Sequence, residues 1–143
     1  MGLEKNLSSI LNSFNFSTPV RLAVREMRCM GAHNYSKKSK FSEIVINPTL
    51  LRPERTLYHE TGHHIYMFEL TSAEREDWSG LYATSMEHVK NWRNYFVSRS
   101  AMKHENEDFA CTFSAMHYEL DVIWAEKKEF MLKLLNRLKK HSC

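Results

Sequence analysis

Two histidines four residues apart constrain this chain more than any other feature: residues 56–64 read TLYHETGHH, with a glutamate after the first histidine and a glycine before the second. The stretch from about 53 to 70 has a helical pattern. Pro53 suits a first turn, Glu54 suits its positive end, and no breaker follows except Gly62. On a helix His59 and His63 share one face a turn apart, so both imidazoles can reach one ion. Glu60 lies roughly 100° further round, beside such an ion and not on it. Gly62 costs about 1 kcal/mol of helix propensity relative to alanine. Close approach by another helix would offset that cost. His64 is about 500° round from His59, off the ligand face, and reads as a supporting or surface residue.

A catalytic zinc site takes three protein ligands and keeps one position open, so a third ligand must come from elsewhere in the chain. In a helix expected over 105–118, Glu107, Ala110, Cys111 and Ser114 fall on one strip, a carboxylate at the head of small side chains. Phe109, Phe113 and Met116 form a second, bulky strip. A small strip opposite Gly62 would let two helices pack tightly and bring Glu107 to the histidines. Glu105, Asp108 and Asp121 compete for that role but read as surface charges or helix-end partners. Zinc lowers the pKa of a bound water toward about 7, and a neighbouring carboxylate can take its proton. The expected roles are therefore His59, His63 and Glu107 as Zn2+ ligands and Glu60 as general base.

The remaining pattern is helix-rich. Leu3, Leu7, Ile10, Leu11 and Phe14 predict a short N-terminal amphipathic helix. Val20, Leu22 and Val24 alternate like a strand, and a second strand, EIVIN at 43–47, is expected to pair with it as a hairpin across a long Gly/Asn/Ser/Lys-rich loop. Thr71, Ser72, Ala73 and Glu74 form a capping box opening a helix that carries Trp78, Leu81 and Tyr82. Residues 85–103 lack a clean period and fit either an irregular cleft wall or an amphipathic helix. A last helix over roughly 120–140 carries Leu120, Ile123, Trp124, Met131, Leu134, Leu135 and Leu138 on a broad apolar face. The expected fold is α+β: one domain over residues 1–143, with a small sheet preceding the active helix.

Composition narrows the setting. With 43% apolar and 26% charged residues the chain reads as an ordinary soluble globular protein. No apolar run approaches the roughly 20 residues needed to span a bilayer. The N-terminus is too polar for a secretory signal, and Asn6 argues against myristoylation at Gly2. Three widely spaced cysteines, Cys29, Cys111 and Cys143, suggest free thiols in a reducing, cytoplasmic compartment. The formal charge of +3 comes largely from KKSK (37–40) and RLKK (137–140), which read as solvated faces, so no nucleic-acid or membrane partner is expected. His33, His88, His117 and His141 have no partner spacing and read as ordinary surface or core-edge histidines.

HETGHH followed by ENEDFACTF resembles the zincin metallopeptidases with a glutamate third ligand, the gluzincins. The likeness is to the compact group around the anthrax lethal-factor protease domain and related phage-associated zincin-like domains, and it covers about residues 43–116. That group often carries S-x-Y-A-x-x-N-x-x-E-D-F-A-E, to which Ser98, Ala101, Glu107, Asp108, Phe109 and Ala110 correspond in register. INP (46–48) and TLYHETGHH resemble its strand and active helix. The resemblance implies the same ligand set and base, and a strand near 43–47 lining the cleft to pair with an extended peptide. Three positions depart from the pattern. The tyrosine that can bond the oxyanion is Ser100, the asparagine is His104, and the acid expected to orient a zinc-bound histidine is Cys111. Tyr95 or Arg99 is a nearby candidate for the oxyanion contact. The expected function is a zinc-dependent endopeptidase acting on a protein or peptide. Its alternatives are a zinc-binding but slow or inactive binding module and, since Glu107, Ala110 and Phe113 satisfy E-x-x-A-x-x-F, a peptidase of the phage-repressor-cleaving kind.

Overall fold

The computed structural model describes residues 2–49 and 52–140; His141 and Cys143 lie outside them. The fold is α+β. Its elements are α1 (Gly2–Asn12), β1 (Arg21–Val24), β2 (Gly31–Ser36), β3 (Phe41–Ile46), α2 (Pro53–His64), α3 (Ser72–Met86), α4 (Glu105–Ala115) and α5 (Ala125–Leu138). No helix among the described residues is long and apolar enough to cross a membrane.

The sheet differs from the expected hairpin. Its order is β1-β3-β2: β1 runs parallel to β3, and the antiparallel hairpin partner of β3 is β2. The polar sequence GAHNYS forms β2, with the exposed turn Lys37–Lys40 closing the hairpin. As an edge strand it has no apolar alternation to betray it, which is why it reads as loop. The strand at the centre is β3, with Ile44, Val45 and Ile46 all fully buried. Both its edges are paired, so it has no free edge to offer a peptide, contrary to what the resemblance implies.

Two cores hold the layers. In one, Leu7 and Leu11 of α1 meet Ile44 and Ile46 of β3 and Leu57 of α2. In the other, Trp78, Phe109, Phe113, Met131, Leu134 and Leu138 join α3, α4 and α5. Helix α2 ends in a single π-helical turn, Ile65–Glu69, and the Thr71 capping box then starts α3 with both reciprocal bonds, 3.1 and 2.9 Å. Residues after α3 resolve as an irregular wall of short 3-10 turns, Val89–Asn94 and Ser100–Met102. The last helix is shorter than expected. Leu120 sits in a separate 3-10 turn and is exposed, so it does not belong to the apolar face.

Buried polar groups tie these layers, and His64 takes the supporting of its two expected roles. His64 is fully buried: its Nδ1 lies 2.7 Å from Ser42 Oγ on β3, and its Nε2 lies 3.2 Å from Glu69 Oε2. Glu69 in turn accepts from the backbone amides of Ser17 (2.8 Å) and Thr18 (2.9 Å), which pins the back of α2 to the sheet and to the chain after α1. His33 joins this chain through Ser42 Oγ at 2.8 Å. Asp108 is likewise not a surface charge. It is fully buried and paired with Lys127 of α5, itself 1% exposed, at 3.0 and 2.9 Å. The same Lys127 ammonium donates to the Tyr95 carbonyl at 2.8 Å and lies over the Phe96 ring, so one cation fastens the irregular wall to α4 and α5. An isolated charge at such depth costs several kcal/mol, and the partner is what makes either group tolerable there.

Candidate metal centre

Helices α2 and α4 touch where each has its smallest residue. A Cβ built on Gly62 would stand 2.8 Å from Ala110 Cα, inside any normal contact. The close approach anticipated for Gly62 is therefore present, and it sets Glu107, one turn before Ala110, against the face of α2 that carries the histidines. His59 Nε2 lies 2.8 Å from Glu107 Oε1, and His63 Nε2 lies 3.6 Å from Glu107 Oε2. Ligand atoms of His59, His63 and Glu107 all fall within 4.8 Å of one another, and this group could hold a metal ion. No other cluster of three or more such side chains occurs among the described residues.

The surroundings orient these side chains. His63 Nδ1 lies 2.8 Å from Asn106 Oδ1, which fixes the ring with its Nε2 towards Glu107. Sequence reading missed Asn106; its only signal was its place immediately before the candidate ligand. His104, one of the three departures from the pattern that the sequence resembles, is the N-cap of α4, and its Nδ1 accepts from the Glu107 amide at 3.3 Å. That capping role is one an asparagine also fills. Cys111 is half-buried, not sequestered, and lies beside the His59 ring. Glu105 accepts from the Tyr66 hydroxyl and from Ser79 Oγ, and so braces α4 against the π-helical turn and α3. Asp121 is exposed in the turn before α5.

Electrostatics at the site favour a cation. Burial alone would lower the His59 imidazole, but the Cys111 thiol and the Glu107 carboxylate hold it up at about 10. Hydrogen bonds from His59 and His63 outweigh burial at Glu107 and hold its carboxyl well below the usual range. Groups that hold a proton between them this strongly can hold a divalent cation in its place, with release of the proton. Two imidazoles and a carboxylate are a recognised zinc donor set. Glu60 is 8% exposed, and burial raises its carboxyl despite the two histidines nearby.

His59, Glu60 and Glu107 open onto a cleft of about 610 Å³. Besides His59, Glu60 and Glu107 it is lined by Gly31 at the start of β2, by Ser98 and Ser100 of the irregular wall, by Cys29 and Cys111, and by Arg52 and Arg55. Gly31 is there by necessity, since a Cβ would meet Thr56 Cγ2 at 2.6 Å and Val45 O at 3.0 Å. Neither Tyr95 nor Arg99 lines the cleft. Tyr95 stacks on His88 with centroids 4.3 Å apart, and the Arg99 guanidinium lies over Trp92. Cys29 and Cys111 are both free thiols.

Comparison of the chain with known protein families, with characterised proteins and with solved structures finds no match.

Proposed function

We propose that this protein is a zinc-dependent metallopeptidase, with His59, His63 and Glu107 as metal ligands and Glu60 as general base. The observation that carries the reading is the convergence of two imidazoles from α2 and one carboxylate from α4 beside a buried glutamate, at the wall of an open cleft. Zinc held there supplies Lewis-acid activation of water and of the scissile carbonyl. Glu60, pushed up by burial, is poised to take the proton of the attacking water on its carboxylate and return it to the leaving amine. Asn106 holds the His63 ring with its Nε2 towards Glu107. As the sheet edge next to the cleft, β2 is the strand along which an extended peptide would lie, in place of β3.

A second reading, a zinc-binding module that hydrolyses slowly, is favoured by one observation. Among the described residues no tyrosine lines the cleft, and a missing oxyanion donor costs about 10²–10³ in rate. The two separate on purified protein and its Glu60→Gln variant, by measuring bound zinc and cleavage of a broad peptide library. Zinc in both with cleavage only by the parent supports the peptidase. Zinc in both with cleavage by neither supports the binding module, and absence of zinc binding overturns both.

A further inference from the structure

Building on the peptidase reading, we propose that Arg52 and Arg55 form a subsite that takes a side-chain carboxylate of the bound peptide, so that the substrate class is a peptide with Glu or Asp close to the scissile bond. Besides His59, Glu60 and Glu107, the charged side chains that line the cleft among the described residues are these two arginines. A second hollow of about 200 Å³ is lined by Arg52, Glu54, Arg55 and Tyr118. Both arginines belong to both hollows, so they stand where the cleft continues past the metal centre.

Their partners differ in a way that matters. Arg55 is held by an ion pair with Glu119 and lies over the Tyr118 ring at 5.4 Å, so it is fixed and partly neutralised. Arg52 is exposed and has no side-chain hydrogen bond or ion pair among the described residues. Its backbone is left-handed, with φ 61° and ψ 55°. A residue with a Cβ adopts that conformation only where the surrounding structure holds it. Among the described residues, the guanidinium of Arg52 is thus the cation at this junction that no side-chain hydrogen bond or ion pair engages. A guanidinium fork pairs a carboxylate through two parallel bonds, and such charge-assisted bonds are the strong ones. Glu54 lines the outer hollow and not the cleft, so it does not stand between Arg52 and the metal centre.

A carboxylate could also be the C-terminal one of a peptide, and the test separates the two sources. Binding to zinc-loaded Glu60→Gln protein is measured by fluorescence anisotropy with three labelled peptide pools. One carries an internal Glu and an amidated end, one an internal Gln and an amidated end, and one an internal Gln and a free end. The Glu pool should bind about tenfold tighter than either Gln pool, as a charge-assisted pair implies. Adding Arg52→Gln should abolish that difference, while circular dichroism and zinc content, unchanged at this exposed position, show that the fold persists. Equal affinity for all pools, no binding of any, a preference for the free end, or a Glu preference that survives Arg52→Gln each overturns the subsite. Cleavage of the same pools by the parent protein keeps the two claims apart. Cleavage without binding preference sinks the subsite alone, and binding preference without cleavage sinks the peptidase and leaves the subsite standing.

Discussion

A single methyl group at Gly62 should damage metal binding more than it damages stability. The new Cβ would lie 2.8 Å from Ala110 Cα and 3.3 Å from both Ala110 Cβ and its carbonyl oxygen. Carbon atoms in contact prefer about 3.5–4.0 Å, so α2 and α4 must part by roughly 1 Å. Gly62→Ala gains about 1 kcal/mol of helix propensity. Overpacking costs about 1–3 kcal/mol, which leaves a net loss of about 1 kcal/mol. Metal binding has no such compensation, because His59 and His63 ride on α2 and Glu107 on α4. A shift of roughly 1 Å is several times the ±0.2 Å within which ligand distances are held. Zinc affinity, read by competition with a chromophoric chelator, should fall at least tenfold, with urea unfolding reporting stability on the same samples. Because the nearest atom is a backbone carbon, adding Ala110→Gly should not restore affinity. A Gly62→Ala protein that is more stable and binds zinc like the parent would refute this account of how the helices set the site.

Other perturbations probe separate parts. Glu107→Ala should abolish zinc binding, and Asn106→Ala should weaken it about 10–100-fold, as loss of an orienting partner does; equilibrium dialysis checks both. Lys127→Met strands Asp108 in the core and should cost about 3–5 kcal/mol in urea unfolding, whereas Asp108→Leu/Lys127→Met should recover much of it. Equal destabilisation in the single and double variants would show that the pair is not the cause. Burial, with a contribution from the Lys139 charge, lowers His117 from 6.5 to about 4. The unfolded chain therefore binds this proton first, so His117 leaves stability intact above pH 6.5 and removes it as pH falls toward 4. After allowance for solvent screening at this partly exposed ring the loss is about 2 kcal/mol, and His117→Phe should flatten that part of the melting-temperature profile.

What could be read from sequence was what periodicity encodes. The apolar faces of α1, α4 and α5, the Thr71 capping box and the Gly62–Ala110 contact all follow from spacing and residue size. Strand β2 was illegible because an edge strand with exposed Asn34 and Tyr35 carries no burial alternation. The pairing of β1 with β3 was misassigned for the same reason: with β2 unseen, only a long hairpin remained. Lys127 and Asp108 looked like solvated charges when each was taken alone. Yet Lys127, Met131, Leu134, Leu135 and Leu138 are the buried positions of α5, so a lysine was sitting on the apolar stripe, and such a residue asks for a buried acid. The 85–103 segment has no period to read, since 3-10 turns and stacked pairs such as Arg93 over Trp92 shape it.

The central claim is that His59, His63 and Glu107 bind one zinc ion and leave a position open. X-ray absorption at the zinc edge of the loaded protein tests it directly. The account predicts a first shell of nitrogen and oxygen only, at about 2.0–2.2 Å, with outer-shell scattering from two imidazoles, all lost on Glu107→Ala. A sulfur at about 2.3 Å would mean that Cys111 closes the site as a fourth ligand, and would contradict the claim.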